Sequence, residues 1–376
     1  MSAGPLILLA AGGTGGHLFP AEALAGELLS RGHRVALVTD RRGGGFGERL
    51  PAVAVHRISA GQMTGTSVIG RAQGALQLAI GLFQARGLIA RLGPAAIVGF
   101  GGYPSVPTVL AAVRAGRPVL LHEQNAVLGR ANRLLARRAT LIAGAFPGLS
   151  IPGGAPLAVT GNPVRPAVAA QSGQPYRAPA SEEPLHVLVL GGSQGARVFS
   201  RLVPEAVALL PAALRTRLVL AQQCRPEDLD GVRATYAKLG VAARLASFFE
   251  DVPTLLAEAH LVIARAGAST VAELAAIGRP ALLVPYPYAA DDHQTANAAA
   301  AAAAGAAWPM AERTLTAALL AERLAALADE PATLATAAAA AARFGRLDAA
   351  ARLADLVADL LPNRGRNGAP PQERAA

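Results

Sequence analysis

The amino-acid sequence predicts an α/β protein built as two parallel-sheet domains. Short aliphatic runs alternate with helix-period segments along most of the chain, the pattern of right-handed βαβ units. The chain has 376 residues, too many for one ordinary core, so two domains are expected. A strand that turns into a helix through glycines also occurs twice, once in each half. Leu6-Ile7-Leu8-Leu9-Ala10-Ala11 runs into Gly12-Gly13-Thr14-Gly15-Gly16-His17, and Val187-Leu188-Val189-Leu190 runs into Gly191-Gly192-Ser193-Gln194-Gly195.

Such a turn aims backbone N–H groups and a helix N-terminus at one point, which suits a phosphate or diphosphate. The plain alternative is a tight turn in a sheet. Neither turn is the dinucleotide fingerprint: Leu18 stands where the last glycine of G-x-G-x-x-G belongs, and Gly192-x-x-Gly195 lacks the spacing. Neither is a P-loop, because no G-K-[ST] follows and the only lysine is Lys238.

Taken in order, a helix pattern runs from Phe19 to Ser30, and Arg34–Thr39 and Ala52–Arg57 read as strands. Gly70–Leu92 reads as a long helix with Leu76, Ile80, Phe83, Leu88 and Ile89 on its apolar side. Ala95–Phe100 is a buried-type strand leading into Gly101-Gly102-Tyr103-Pro104-Ser105, and Val119–His122 is a strand leading into Glu123-Gln124-Asn125. Pro94–Val113 and Ala139–Val164 carry no charge but are broken by Gly and Pro, so they read as strand, loop and helix pieces rather than membrane spans. Gly161-Asn162-Pro163-Val164-Arg165-Pro166 closes the first half. The Pro/Ser/Gln/Ala-rich segment Gln171–Pro184 marks a linker.

The second half restarts at Leu185, with a helix over Ala196–Leu210 and strands at Leu218–Ala221, Ala243–Ser247, Leu261–Ala264 and Ala281–Pro285. Thr295–Gly305, Pro331–Ala342 and Leu347–Leu361 read as helices. The expected divisions are an N-terminal domain over 1–166, a linker over 167–184, a C-terminal domain over 185–345, a last helix in 346–361 and a disordered tail over 362–376.

Composition narrows the function. The net charge of +10 comes almost wholly from arginine, which favours acidic substrates, anionic lipid or nucleic acid. No basic run is interleaved with aromatics, so nucleic acid is not expected. The single cysteine, Cys224, excludes a disulfide framework and a multi-cysteine zinc site. Met1 is followed by no basic segment and no apolar segment of signal-peptide form, so no export signal is expected.

In parallel sheets ligands bind beyond the C-terminal strand ends, and His17, Tyr103, Ser105 and His122–Asn125 all belong there. Two such domains facing one another form a cleft whose closure excludes water. His17 is either a general base or a hydrogen-bond donor at a helix start. In Arg265-Ala266-Gly267-Ala268-Ser269-Thr270-Val271-Ala272-Glu273, Ser269 or Thr270 can cap a helix. Glu273 then either binds ribose hydroxyls or completes a capping box with Thr270. Asp228-x-Asp230 has metal-and-nucleotide spacing but lies in a polar helical stretch. Asp291-Asp292-His293 lacks a partner cluster for a metal, and Asp40 lacks the glycine fingerprint that an NAD site requires.

Gly12–His17, Gly99-Phe100-Gly101-Gly102-Tyr103, His122–Asn125, Gly161–Arg165, Gly191–Arg197 and Arg265–Glu273 occur in this order. Together they resemble the MurG family, N-acetylglucosaminyltransferases of peptidoglycan synthesis, from about Leu6 to Leu361. The resemblance implies a GT-B fold: two Rossmann-like domains facing across a cleft. It implies inverting transfer of GlcNAc from UDP-GlcNAc to the C4 hydroxyl of MurNAc in undecaprenyl-pyrophosphoryl-MurNAc-pentapeptide, giving lipid II. It also implies a peripheral protein at the cytoplasmic face of the inner membrane, with no tightly held metal or other cofactor. Residue by residue it implies donor contacts at Thr14, Gly15 and Gly16, a base at His17, a donor-sugar contact at Asn125 and diphosphate contacts at Arg165 and Ser193. Nucleotide contacts follow at Ala268, Ser269, Thr270, Val271, Ala272 and Glu273, with Glu273 on the ribose. Gln294 would meet the GlcNAc hydroxyls. Phe249 stands where the family makes a backbone contact to uracil, usually from an aliphatic residue.

The lipid-linked acceptor gives Gly70–Leu92 a function: its apolar side would lie on anionic inner-membrane lipid, with Arg71, Arg86 and Arg91 near the head groups. An ordinary core helix is the alternative. The rival functions are an NAD-linked oxidoreductase, a UDP-GlcNAc 2-epimerase and a non-catalytic basic binder.

Overall fold

The computed structural model of the chain describes residues 4–41, 50–61, 68–192 and 196–361. Strands β1 (Leu6–Ala10), β2 (Arg34–Thr39), β3 (Ala54–Arg57), β4 (Ala96–Gly99), β5 (Val119–Glu123), β6 (Leu141–Gly144) and β7 (Leu157–Val159) form one sheet. Its order is β3-β2-β1-β4-β5-β6-β7, parallel throughout. Strands β8 (Leu185–Leu190), β9 (Leu218–Gln223), β10 (Ala242–Ala246), β11 (Leu261–Ala264), β12 (Ala281–Leu283) and β13 (Ala307–Pro309) form a second parallel sheet, ordered β10-β9-β8-β11-β12-β13. In each sheet the strand leading into a glycine turn, β1 or β8, is where the order reverses. That is the switch point at which open α/β sheets hold ligands.

In the first half the helices are α1 (Gly15–Ser30), α2 (Val68–Leu92), α3 (Ser105–Arg114), α4 (Arg130–Leu135) and α5 (Pro166–Ala169). Those of the second half are α6 (Arg197–Leu209), α7 (Ala212–Arg217), α8 (Leu229–Leu239), α9 (Val252–Glu258), α10 (Ala268–Ile277), α11 (His293–Ala303), α12 (Ala317–Asp329) and α13 (Pro331–Phe344). The last is α14 (Ala349–Asp359). The central strands are aliphatic on both faces because helices cover both. Leu8, Ile97, Leu121 and Ile142 pack with α2 and α3 on one face of the first sheet, and Ile7, Leu9, Val98 and Leu120 pack with α1 on the other.

Helix α14 returns to the first half, placing Leu353, Ala354 and Val357 in the core beneath α1. Arg31, the C-cap of α1, holds it through Asp355 at 2.5 Å and the Ala351 carbonyl at 3.1 Å. The two crossing segments touch at glycines. A Cβ on Gly161 would lie 2.5 Å from the Arg346 Cβ, and one on Gly345 would lie 2.5 Å from the Ala275 carbonyl. Backbone can approach this closely only where no side chain intervenes.

Three expectations need correction. Helix α2 does not bury one continuous aliphatic side. It seats Gly74, Gly81, Ala85, Leu88 and Ile89 against the domain, leaving Leu76, Ile80 and Phe83 62%, 42% and 75% exposed. The small residues let its backbone pass close to the 58–61 segment, where a Cβ on Gly81 would collide with the Ser59 carbonyl. Residues 139–164 form two strands, β6 and β7, and no helix. Neither Ser269 nor Thr270 caps α10. The cap is Gly267 in extended backbone, and the Ser269 hydroxyl is buried without a partner. Strand β13 and helix α12 were not anticipated.

Candidate functional site

The site begins at the β1–α1 turn. Thr14 is the N-cap of α1 without a side-chain cap bond, so His17 is the third helical residue. The His17 ring stands in a slot cut by three glycines. A Cβ on Gly12 would lie 3.2 Å from its Cδ2, one on Gly101 3.2 Å from its Cε1, and one on Gly102 3.4 Å from its Cδ2. Gly101 and Gly102 also need left-handed backbone, with φ of 88° and 77°. The Gly12 N–H donates to the Gly101 carbonyl at 3.0 Å, and the Ser105 hydroxyl reaches Ala10 and Gly101 carbonyls at 2.8 and 2.7 Å, so the two glycine turns lock together.

Hydrogen bonds from β5 fix the position of the His17 proton. The His122 Nε2 lies 3.2 Å from the Gly161 carbonyl, which can only accept, so that nitrogen carries the proton and Nδ1 is an acceptor. The Gln124 amide nitrogen donates to His122 Nδ1 at 3.0 Å and to the Phe100 carbonyl at 3.0 Å. The Gln124 oxygen therefore faces His17, 3.2 Å from Nδ1, and must accept. His17 is protonated at Nδ1, and its Nε2 keeps a free lone pair.

Burial pushes the His17 pKa below the ordinary histidine value, against the Glu123 charge and the bonds to Gln124 and Phe100; His293 across the cleft also pushes it down. Burial takes His122 down to about 4, opposed by its bond to Gly161 and helped by His17. Both imidazoles are neutral at neutral pH.

Buried Glu123 organises the next turn. One oxygen accepts from the Asn125 N–H at 3.0 Å and its side-chain amide at 3.2 Å. The other accepts from the Gly129 N–H at 2.8 Å and Asn132 at 2.9 Å. With its oxygens so occupied, Glu123 is an anchor rather than an alternative base.

Among the described residues, side chains of the second half bond this surface at three places. Asn297 of α11, fully buried, donates to the Asn125 side-chain oxygen at 3.1 Å and the Ala266 carbonyl at 3.0 Å. It also accepts from the Ala126 N–H at 2.8 Å. Arg165 pairs bidentately with Glu273 of α10, Nε to Oε1 at 2.7 Å and Nη2 to Oε2 at 2.9 Å, and its guanidinium lies over the Phe19 ring. Asp291 bonds Arg130 and Arg133.

Glu273 thus makes no capping box; both its oxygens are held by Arg165. The Gln294 side-chain oxygen accepts from the Tyr286 N–H at 2.9 Å. Phe249 is buried in the core with Leu188, Leu255 and Leu256, and Phe248 beside it is exposed. Ser193 lies outside the described residues. Arg265, singled out only as part of its motif, is nearly buried between the Phe199 and Tyr286 rings and paired with Glu312. Among the described residues, no three His, Cys, Asp or Glu side chains are grouped to hold a metal.

Gln124 was visible in its motif, but its part in orienting His17 was not, because the two are 107 positions apart. Asn297 left one signal: a lone amide in an alanine run, one turn beyond Gln294.

Residues 7–143 match the glycosyltransferase family 28 N-terminal domain, and residues 186–353 match the glycosyltransferase family 28 C-terminal domain. A protein of Rhodospirillum centenum named UDP-N-acetylglucosamine--N-acetylmuramyl-(pentapeptide) pyrophosphoryl-undecaprenol N-acetylglucosamine transferase is 60% identical over 360 residues, 95% of this chain and 94% of that one. The chain belongs to the MurG family. A second member, from Paramagnetospirillum magneticum and with the same name, is 57% identical over 362 residues, 96% of this chain and 98% of that one. The crystal structure of Acinetobacter baumannii MurG superposes with a TM-score of 0.77 at 31% identity, covering 94% of this chain and 99% of that one. The protein is a glycosyltransferase of GT-B architecture, as the sequence predicts.

Proposed function

We propose that the protein transfers GlcNAc from UDP-GlcNAc to the C4 hydroxyl of MurNAc in undecaprenyl-pyrophosphoryl-MurNAc-pentapeptide, with inversion to a β1→4 link, converting lipid I to lipid II. The observation that carries this is the His17 imidazole, neutral and with a lone pair on Nε2, held by three glycines where the two domains meet.

His17 Nε2 takes the proton of the acceptor C4 hydroxyl as that oxygen attacks the anomeric carbon from the face opposite the diphosphate. The bond from that carbon to the diphosphate oxygen breaks, and UDP leaves with the electron pair. The leaving charge is met by the N-terminus of α10, the free Ser269 hydroxyl and Arg165, together with the N–H groups of Thr14, Gly15 and Gly16; the diphosphate contact at Ser193 rests on the family's motif alone. Ala268 to Glu273 hold the nucleotide, Asn125 and Gln294 the sugar, and the Phe249 backbone the uracil.

Arg165 and Glu273 hold each other in this structure. Donor binding exchanges both partners, Glu273 turning to the ribose hydroxyls and Arg165 to the diphosphate. The exchange leaves no half-buried charge unpaired, and an unpaired one would be costly.

Among the described residues no helix is long and apolar enough to cross a membrane. The exposed Leu76, Ile80 and Phe83 of α2, with exposed Arg86 and Arg91 on the same helix, support peripheral binding to anionic lipid at the cytoplasmic face of the inner membrane. The side chain of Arg71 lies outside the described structure.

Thermal denaturation tests the donor assignment. UDP-GlcNAc should raise Tm and NADH should not; a shift with NADH alone would return the oxidoreductase function.

A further inference from the structure

Helix α4 begins beside the His17 site. The Gly129 N–H that precedes it and Asn132 within it both bond Glu123 Oε2, at 2.8 and 2.9 Å. Arg130 and Arg133 lie on one side of this helix, three residues apart. Both guanidiniums converge on a single carboxylate from the opposite half. Arg133 Nη2 lies 2.6 Å from Asp291 Oδ2, and Arg130 Nε lies 3.3 Å from the same oxygen. Two positive charges are thereby met by one negative charge, and the arginines remain 62% and 46% exposed along their side chains. The pair is open to an anion with more charge than Asp291 brings.

Its place in the molecule says which anion. Going outward from His17, α4 packs on α3 and α3 packs on α2. Helix α2 carries exposed Leu76, Ile80 and Phe83, and α4 itself exposes Leu134. An apolar surface, two arginines and the proposed base follow one another in that order. The acceptor has the same order: lipid tail, diphosphate, sugar. The donor diphosphate is provided for separately, at α10 and Arg165.

We propose that Arg130 and Arg133 bind the diphosphate of the lipid-linked acceptor, and that Asp291 occupies this site until the acceptor displaces it. The proposal rests on the transfer reaction above. Asp291 and Asp292 are the two non-glycine residues with left-handed backbone among those described, φ 52° and 51°. They lie in the loop before α11, the loop from which Asp291 reaches α4. Paired arginines suit a diphosphate because each guanidinium offers two parallel donors to adjacent oxygens.

The test uses the full chain, UDP-GlcNAc and a short-chain lipid-linked acceptor in detergent. Replacing both arginines (Arg130→Ala with Arg133→Ala) should raise the acceptor KM about tenfold or more, with the UDP-GlcNAc KM nearly unchanged. Asp291→Asn keeps a residue that tolerates left-handed backbone but removes the competing charge; it should lower the acceptor KM about threefold. Sedimentation with anionic phospholipid vesicles should be nearly the same for all three proteins. An unchanged acceptor KM in the arginine variant overturns the proposal. So does lost vesicle binding with an unchanged acceptor KM, which would make the pair a phospholipid head-group contact. If Arg130→Ala with Arg133→Ala lowers the acceptor KM as Asp291→Asn does, the pair is only a tether between the halves. A wild-type protein that transfers no GlcNAc removes the proposed function and this site with it, whereas normal wild-type transfer with unaffected variants removes only the site.

Discussion

His17 can act as a base only while Nδ1 keeps its proton and Nε2 keeps its lone pair, and the chain Gly161, His122, Gln124 enforces that state. General-base help is worth about 10²–10⁴-fold, so His17→Ala should lower turnover within that range and leave donor affinity nearly intact. Because the His17 pKa is lowered, the acid limb of the rate profile should fall below the ordinary histidine value near 6.5 and be absent in the variant. A second prediction isolates the orienting amide. Gln124→Leu frees the tautomer and should reduce kcat about tenfold or more with the UDP-GlcNAc KM unchanged; a rise in KM alone would assign Gln124 to binding. At this scale the sequence was legible only in part. His17 stood out because a glycine turn precedes it. That Gly12, Gly101 and Gly102 shape its slot depends on two turns meeting, which no local pattern reveals.

At the scale of elements, periodicity located most strands and helices to within a few residues. It could not say which apolar residues of α2 face inward. Leu88→Ala should cost about 2–5 kcal/mol as a core truncation, whereas Leu76→Ser with Phe83→Ser should leave Tm nearly unchanged and reduce sedimentation with anionic vesicles. Retained sedimentation would move the membrane contact away from α2. Strand β13 is three residues long and ends in proline, Ala307–Pro309, so it lacks the aliphatic run that marks the equally short β12. Helix α10 looked like a capping box because Thr270 and Glu273 have the spacing. The carboxylate turned instead to Arg165, a charged partner 108 positions away. Glu273→Gln should therefore weaken UDP-GlcNAc binding about tenfold or more, measured by titration, while the half-buried Arg165 left without its counter-charge also costs some stability in denaturant unfolding. A large loss of stability with unaltered affinity would make Glu273 structural.

For the whole molecule, the two glycine turns and the alternation between them were enough to predict two facing parallel sheets. The return of α14 to the first sheet was not legible: Leu347–Leu361 shows an apolar face but not the surface it covers. On the side away from the cleft, His260 stands at the entry to β11 with the His186 N–H donating to its Nδ1 at 3.0 Å. Burial, with His186 and Arg279, holds its pKa down to about 4. Since the folded value lies below the unfolded one, the unfolded chain binds more protons between about pH 6.5 and 4, so stability falls as pH drops through that window. His260→Gln should flatten this acid slope of Tm without changing transfer at neutral pH. An unaltered slope would place the acid sensitivity elsewhere, with His122 the next group to examine.

The transfer reaction is tested most simply by following radiolabelled sugar. The purified protein is incubated with labelled UDP-GlcNAc, with and without a short-chain diphosphoryl-MurNAc-pentapeptide lipid. Label should appear in an organic-extractable lipid product, with one UDP released per sugar moved and no change in the sugar when the acceptor is withheld. Label that stays in the nucleotide with acceptor present, or that becomes N-acetylmannosamine without it, would rule out GlcNAc transfer to the lipid.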